Sequence, residues 1–64
     1  MAQHRSYNVR VVFSSSMQEL EYISGATVQG LECKPLGGCI WEIFGVSADE
    51  LEILFDTCKR CWTF

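Results

Sequence analysis

The sequence has few basic residues, a single histidine and no long hydrophobic run. Lys and Arg total 5 against 8 Asp and Glu in 64 residues, which gives a net charge of −3. This acid excess argues against non-specific binding to nucleic-acid phosphates. No apolar run approaches the roughly 20 residues of a transmembrane helix, and no charged segment followed by an apolar stretch indicates a secretory signal. We therefore expect a cytoplasmic protein that contacts neither membrane nor nucleic acid directly.

The shortage of histidine also argues against catalysis. His4 lies in a polar segment without periodicity, and nucleophilic catalysis of the Ser-His-Asp or Cys-His kind needs a placed base. Paired catalytic carboxylates need a cleft that separates their pKa values. Four glutamates alternate with apolar residues and are instead interpreted as solvated: Glu19, Glu21, Glu32 and Glu42. We expect that the protein is not an enzyme.

The length allows one small domain. A chain of this size buries only about 60% of the surface that its unfolded form exposes, so a metal, a disulfide or a partner chain would help to stabilise it. Residues 1–6 are polar and are expected to form a flexible N-terminus. Residues 7–64 are expected to form a single α+β domain.

Alternating hydrophobicity predicts strands in three places. Residues 7–13 alternate with period two and have apolar residues on both faces, which favours an inner strand. Residues 26–34 alternate with an interruption at Gly30, and residues 34–38 (Lys-Pro-Leu-Gly-Gly) predict a turn. Residues 39–44 then complete a hairpin, and their two apolar faces are typical of a central strand.

Two segments favour helix. Ser16 and Glu19 fit a capping box and Gly25 a C-terminal cap, so residues 17–24 are interpreted as a short helix, although Leu20 and Tyr22 also alternate as in a strand. A second capping box begins at Ser47, and an apolar stripe at helical spacing continues to residue 62. Its stripe is formed by Leu51, Leu54, Phe55, Cys58, Cys61 and Trp62, with Lys59 and Arg60 in the last turn.

These elements predict an α+β fold. We expect a small antiparallel sheet of three to four strands with a C-terminal amphipathic helix packed on one face. The order is βαββα, or ββββα if residues 17–24 are extended.

The four cysteines leave three alternatives open. Cys33, Cys39, Cys58 and Cys61 are interpreted first as free, partly buried thiols, because free cysteine behaves as a small hydrophobe. The alternative is a zinc site of all four thiolates that ties the hairpin to the helix, although five residues separate the first pair, against the usual two to four. Disulfides are disfavoured in a reducing cytoplasm. Under the first interpretation no cofactor is expected. Under the second, the expected cofactor is zinc.

One ten-residue segment, residues 34–43, resembles the hairpin of RelE/HigB-type ribonuclease toxins. That hairpin often carries a Pro-Leu-Gly-Gly turn followed by a Trp-Glu-Leu strand, where this sequence has Trp-Glu-Ile. The resemblance implies a basic surface and a further basic strand. Here an acidic helix is predicted to follow instead, so we do not assign the toxin activity.

Exposed apolar residues point to binding. Aromatic residues dominate interface hot spots, and Ile53 lies among acids on the predicted outer face of the last helix. The predicted partner-binding residues are Asp49, Glu52, Ile53, Asp56, Trp41 and Phe64.

We expect a small acidic interaction protein that binds and inhibits a larger macromolecule, with a nucleic-acid-binding protein and a second copy of the chain as candidate partners. By analogy of size and charge alone, it is similar to phage- or mobile-element-encoded blockers of nucleic-acid enzymes. The alternative is a zinc-stapled structural or adaptor module.

Overall fold

A computed structural model of the protein describes residues 5–64. The elements follow in the order β1 (Tyr7–Val12), α1 (Ser16–Val28), β2 (Glu32–Gly37), β3 (Ile40–Val46), α2 (Ala48–Thr57) and β4 (Arg60–Thr63). The strands form one antiparallel sheet in the order β2-β3-β1-β4. The predicted α+β class is confirmed, but the order is βαββαβ because a strand follows the last helix. This is the element order of the ferredoxin-like, or split βαβ, arrangement.

The core lies between one face of the sheet and both helices. Val9 and Val11 of β1 and Ile43 of β3 have no exposed surface, and they cluster with Leu54 of α2. Tyr22 of α1 packs against the same cluster. Because these strand residues occupy one face of the sheet, both helices lie on the same side of it. As predicted, β1 and β3 are inner strands.

Two side-chain hydrogen bonds join the helices. The Gln18 Nε2 of α1 donates to the Thr57 carbonyl oxygen at 2.8 Å, and the Tyr22 hydroxyl donates to a Glu50 carboxylate oxygen at 3.3 Å. The first bond satisfies a carbonyl at the C-terminal end of α2, where no intrahelical donor is available. The helices are thus held together at both ends of α2.

The first helix is longer than predicted. Its N-cap is Ser15 rather than Ser16, and it continues through Gly25 to Val28, so residues 26–28 are helical and not part of a strand. It ends where Gly30 adopts a φ of 85°. The Leu31 amide donates to the Ala26 carbonyl and the Gly30 amide to the Thr27 carbonyl, both at 3.0 Å. These two bonds form a Schellman motif, and Gly30 rather than Gly25 is its C′ residue.

The second helix is shorter than predicted. Ser47 caps it as expected and accepts a hydrogen bond from the Glu50 amide at 3.2 Å. The helix ends at Thr57, and the Lys59 amide donates to the Val12 carbonyl at 2.9 Å. The chain therefore pairs with the free edge of β1, which satisfies backbone groups that a longer helix would leave unpaired. The prediction that Lys59 and Arg60 lie in the last turn of a helix is consequently wrong.

The hairpin and the N-terminus also differ in detail from expectation. Strand β2 includes most of the predicted turn, and only Gly38 and Cys39 separate the paired residues Gly37 and Ile40. Of the predicted flexible residues 1–6, residues 1–4 lie outside the described part of the chain. No helix within residues 5–64 is long and apolar enough to cross a membrane.

The observed C-terminus of α1 predicts that replacing glycine by alanine has opposite effects on stability at Gly25 and at Gly30. Gly25→Ala is expected to raise the free energy of unfolding by about 0.5–1 kcal/mol, because glycine is costly inside a helix and the added Cβ would meet nothing within 4 Å. Gly30→Ala is expected to lower it by about 1 kcal/mol, because alanine is strained at positive φ. Urea unfolding followed by circular dichroism measures both. Equal effects would contradict the observed C-terminus of α1.

Candidate interaction surfaces

Four of the predicted partner-binding residues form one stripe on α2. Asp49, Glu52, Ile53 and Asp56 are all exposed, and their spacing of three, one and three residues places them on one side of the helix. Half of the Ile53 side chain is accessible to solvent. Its apolar surface therefore lies among three carboxylates. We call these four residues the acidic surface.

The acidic surface belongs to a layer that contains no basic residue. The two helices carry no Lys or Arg, and their six acids are Glu19, Glu21, Asp49, Glu50, Glu52 and Asp56. All five Lys and Arg lie on strands or on segments beside them: Arg5, Arg10, Lys34, Lys59 and Arg60. The helical layer thus has a formal charge of −6. The rest of the chain, with these five and with Glu32 and Glu42, carries +3, and together they give the net charge of −3.

Trp41 lies away from the acidic surface. It is on the helix-facing side of β3, and its indole Nε1 donates to a Glu19 carboxylate oxygen of α1 at 2.6 Å. The ring lines a shallow cavity of about 480 Å³ together with Leu20, Ile23 and Thr27. Leu20 is largely exposed beside it. Trp41 therefore belongs to a different surface from the other predicted binding residues.

Phe64 lies on the opposite side of the molecule. It follows β4 on the sheet face turned away from the helices, which we call the open sheet face. No other element within residues 5–64 covers this face. Its side chains are those of Asn8, Arg10, Val12, Glu32, Lys34, Ile40, Glu42, Phe44, Arg60, Trp62 and Phe64. The six predicted residues are therefore distributed over three separate surfaces.

An ion pair occupies the centre of the open sheet face. Arg10 of β1 and Glu42 of β3 are directly opposite in the register, and Arg10 Nη2 lies 2.6 Å from a Glu42 carboxylate oxygen. Glu42 is only 9% exposed, so the prediction that it is solvated is wrong. Glu19, also predicted to be solvated, instead accepts the Trp41 hydrogen bond.

Aromatic rings surround this ion pair. The Arg10 guanidinium carbon lies 5.4 Å from the Phe64 ring centroid and 5.9 Å from that of Trp62. The Phe44 and Phe64 rings meet edge to face with centroids 5.9 Å apart. All three contacts have geometries that favour cation–π or aromatic pairs. The rings thus hold Arg10 against Glu42.

The sequence analysis did not predict a strand at residues 60–63, and this is why the open sheet face was not predicted. Arg60, Trp62 and Phe64 alternate with Cys61 and Thr63, which is the period-two pattern of a strand. The helical interpretation of residues 58–62 competes with it, because Cys58, Cys61 and Trp62 also fit the helical stripe. The alternation over residues 60–64 is the signal that could have identified a basic and aromatic strand.

The cysteines form no disulfide and are spread over the fold. Cys33 is on β2, Cys39 in the hairpin loop, Cys58 at the end of α2 and Cys61 on β4. Strands β2 and β4 are the two edges of the sheet, so at a strand spacing of ~4.8 Å the backbones at Cys33 and Cys61 are at least about 14 Å apart. A tetrahedral zinc site with Zn–S bonds of about 2.3 Å needs its thiols close together, and this arrangement does not bring these two together. Within residues 5–64, no three His, Cys, Asp or Glu side chains are placed to hold a metal ion.

Burial makes three of the thiols less acidic. It raises the pKa of the Cys33 and Cys58 thiols, although a hydrogen bond with Thr57 partly offsets the effect at Cys58. For Cys61, burial and the nearby Cys58 raise the pKa from 9.0 to about 11. Burial and the Glu50 carboxylate likewise raise the pKa of the Tyr22 hydroxyl. These environments favour neutral, unreactive side chains.

Comparison with known protein families, with curated proteins and with solved structures finds no match.

The thiol environment predicts slow alkylation. At pH 8 the Cys61 thiolate is expected to be about 100-fold scarcer in the folded than in the unfolded chain. Iodoacetamide labelling with peptide mapping, in buffer and in urea, measures the ratio. The raised pKa also stabilises the fold below pH 9.0, and this contribution is expected to decline as the pH rises towards 11. Equal labelling rates in the two conditions would contradict the burial of Cys61.

A metal measurement tests the zinc alternative. From the separation of Cys33 and Cys61 we expect purified protein to contain no stoichiometric zinc and its unfolding midpoint to be unchanged by EDTA. Inductively coupled plasma mass spectrometry and chelation during thermal unfolding provide the two readings. One zinc per chain, with loss of structure on chelation, would establish the zinc-stapled module instead.

Proposed function

We propose that the protein is a small cytoplasmic interaction protein that binds a basic surface of a larger macromolecule through its acidic surface. The observation that carries the proposal is the charge distribution, because the helical layer contains six acids and no Lys or Arg. No cation of that layer neutralises the three carboxylates beside Ile53. Such a single-sign surface attracts an oppositely charged partner and accelerates association.

The chemistry of the acidic surface suits a protein partner. An apolar residue within a charged rim is the usual organisation of a protein interface, in which the apolar contact contributes most of the affinity. Ile53 is half exposed and has Asp49 and Asp56 on either side along the helix. We propose that Ile53 fills an apolar depression on the partner while the carboxylates contact Lys or Arg around it.

A nucleic-acid enzyme is the class of partner that we favour. Such enzymes carry basic grooves that bind phosphates, and regularly spaced carboxylates on a rigid helix present similar charge to such a groove. A protein seated there would inhibit the enzyme by excluding its substrate, and would need no catalytic group of its own. A phage or mobile-element origin remains an analogy from size and charge.

Charge reversal on the acidic surface provides the test. Glu52→Lys with Asp56→Lys is expected to weaken partner binding at least tenfold, because two attractive contacts become repulsive. The matched control is Glu21→Lys with Ser24→Lys and Gln29→Lys, which changes the net charge by the same amount at exposed positions of α1 and its C-cap and leaves the open sheet face unchanged. The measurement is affinity capture from the native host with each protein as bait, followed by mass spectrometry and calorimetry on the purified partner.

The outcome also tests inhibition. We expect a captured nucleic-acid enzyme to lose activity when wild-type protein or the control variant is added, and to keep it with the acidic-surface variant. Both variants must show the wild-type circular dichroism spectrum. Equal capture by all three proteins would exclude the acidic surface as the binding site, and capture without inhibition would exclude the blocking role.

A further inference from the structure

The open sheet face is too apolar for a surface that faces water. One-sided antiparallel sheets normally alternate between apolar residues inside and polar residues outside. Here the outer face includes three aromatic and two aliphatic side chains: Val12, Ile40, Phe44, Trp62 and Phe64. More than half of Phe64 and 38% of Trp62 are exposed. Exposed apolar patches of this kind mark interaction sites.

We infer that the open sheet face is a homodimer interface, in which a second copy of the chain packs face to face about a twofold axis parallel to the strands. The pairing register carries this inference. Across the sheet, one row of outward side chains reads Lys34, Glu42, Arg10, Trp62. The next row places Ile40 beside Val12. Glu42 and Arg10 therefore lie on opposite sides of the line midway between β3 and β1.

A rotation of 180° about that line makes these two rows complementary to themselves. It reverses the order of each row and leaves the position along the strands unchanged. Glu42 then faces the partner's Arg10, and Arg10 faces the partner's Glu42. Lys34 lies over the ring of the partner's Trp62, and Ile40 meets the partner's Val12. An isologous interface requires this kind of self-complementarity.

Charge disfavours a twofold axis that lies in the plane of the face, is perpendicular to the strands and passes through the charged row. Such an axis would place each member of that row opposite its own copy. Lys34 would then face the partner's Lys34, and Glu42 the partner's Glu42. Like charges placed together strongly disfavour an interface. The twist between packed sheets, about 30°, displaces edge strands more than central ones, so Arg10 and Glu42 near the axis are the most informative residues.

The size of the face sets the expected affinity. Four strands spaced by about 4.8 Å and six residues at about 3.3 Å each span a plane of roughly 19 by 20 Å. This is smaller than the ~800 Å² per partner of a standard interface, so we expect a dimer that dissociates in the micromolar range. The helices remain outside. If the proposed function holds, each dimer presents two acidic surfaces on opposite sides.

The first experiment compares two phenylalanines of similar exposure. Phe64 on the open sheet face is 55% exposed and Phe55 on α2 is 53% exposed. Sedimentation velocity of wild-type protein from about 1 to 500 μM is expected to show a monomer–dimer equilibrium. Phe64→Ser is expected to weaken dimerisation at least tenfold, whereas Phe55→Ser leaves it unchanged. A wild-type monomer throughout this range, or equal effects of the two variants, would overturn the inference.

The second experiment separates contacts between chains from the ion pair within each chain. Arg10→Glu alone and Glu42→Arg alone are each expected to be monomeric, because like charges then face each other across the axis. An equimolar mixture is expected to dimerise, since two acids on one chain face two bases on the other. The ion pair within each chain remains broken in the mixture, so restored folding cannot explain the rescue. Folded single variants whose mixture stays monomeric would overturn this axis.

Two further measurements are needed. One distinguishes a second copy of the chain from nucleic acid as the partner, and the other distinguishes the dimer from the proposed function. Arg60 and the aromatic rings could also stack single-stranded nucleic acid, so fluorescence titration with an oligothymidylate is made on the same samples. Tight oligonucleotide binding by a wild-type monomer would overturn the dimer in favour of nucleic acid. The Glu52→Lys, Asp56→Lys variant is expected to dimerise normally, so failure of the acidic surface leaves this result intact.

Discussion

Residues 5–64 form four strands and two helices, and the shortage of helices leaves one face of the sheet without a covering layer. Both helices pack on one face of the sheet, where Val9, Val11 and Ile43 are completely buried. The other face has no helix against it among residues 5–64. The structure meets this constraint with side chains, because Arg10 covers Glu42 and two aromatic rings lie against Arg10. A surface that polar residues would normally occupy is therefore half apolar and closely packed.

Strand β4 is what makes that face possible. It pairs with the outer edge of β1 in a register that places Trp62 beside Arg10 and Cys61 beside Val11. Alternation then directs Cys61 towards the core and Trp62 away from it. A helix through the same residues would have placed both on one side. The choice of strand over helix at residues 60–63 thus decides whether the aromatic residues belong to the core or to a surface.

Much of the fold followed from local sequence patterns. Period-two alternation identified β1 and β3 as inner strands, and Ser47 identified the start of α2, because these signals lie within one element. The ends of the helices did not follow. Gly25 and Gly30 both fit a helix cap, and only the hydrogen bonds of Leu31 and Gly30 decide between them. The end of α2 depends on an unpaired edge of β1, almost fifty residues earlier in the chain.

The candidate surfaces show the same division. Helical spacing alone predicted that the four residues of the acidic surface lie on one side of α2. Trp41 and Phe64 belong to strands whose neighbours are distant in sequence, and spacing could not show that they face opposite sides of the sheet.

Net charge is a poor description of this protein, because it averages over layers that the fold separates. The helices carry −6 and the rest of the chain +3, so a total of −3 describes neither side. Salt screens exposed charges from one another beyond about 8 Å of solvent under physiological conditions, and the acidic surface and the open sheet face lie on opposite sides of the sheet. A partner at either surface therefore responds mainly to the charges of that surface. The two proposed binding surfaces, on the acidic helices and on the aromatic sheet face, would therefore act independently, and a second copy on the sheet would leave the helices free for another partner.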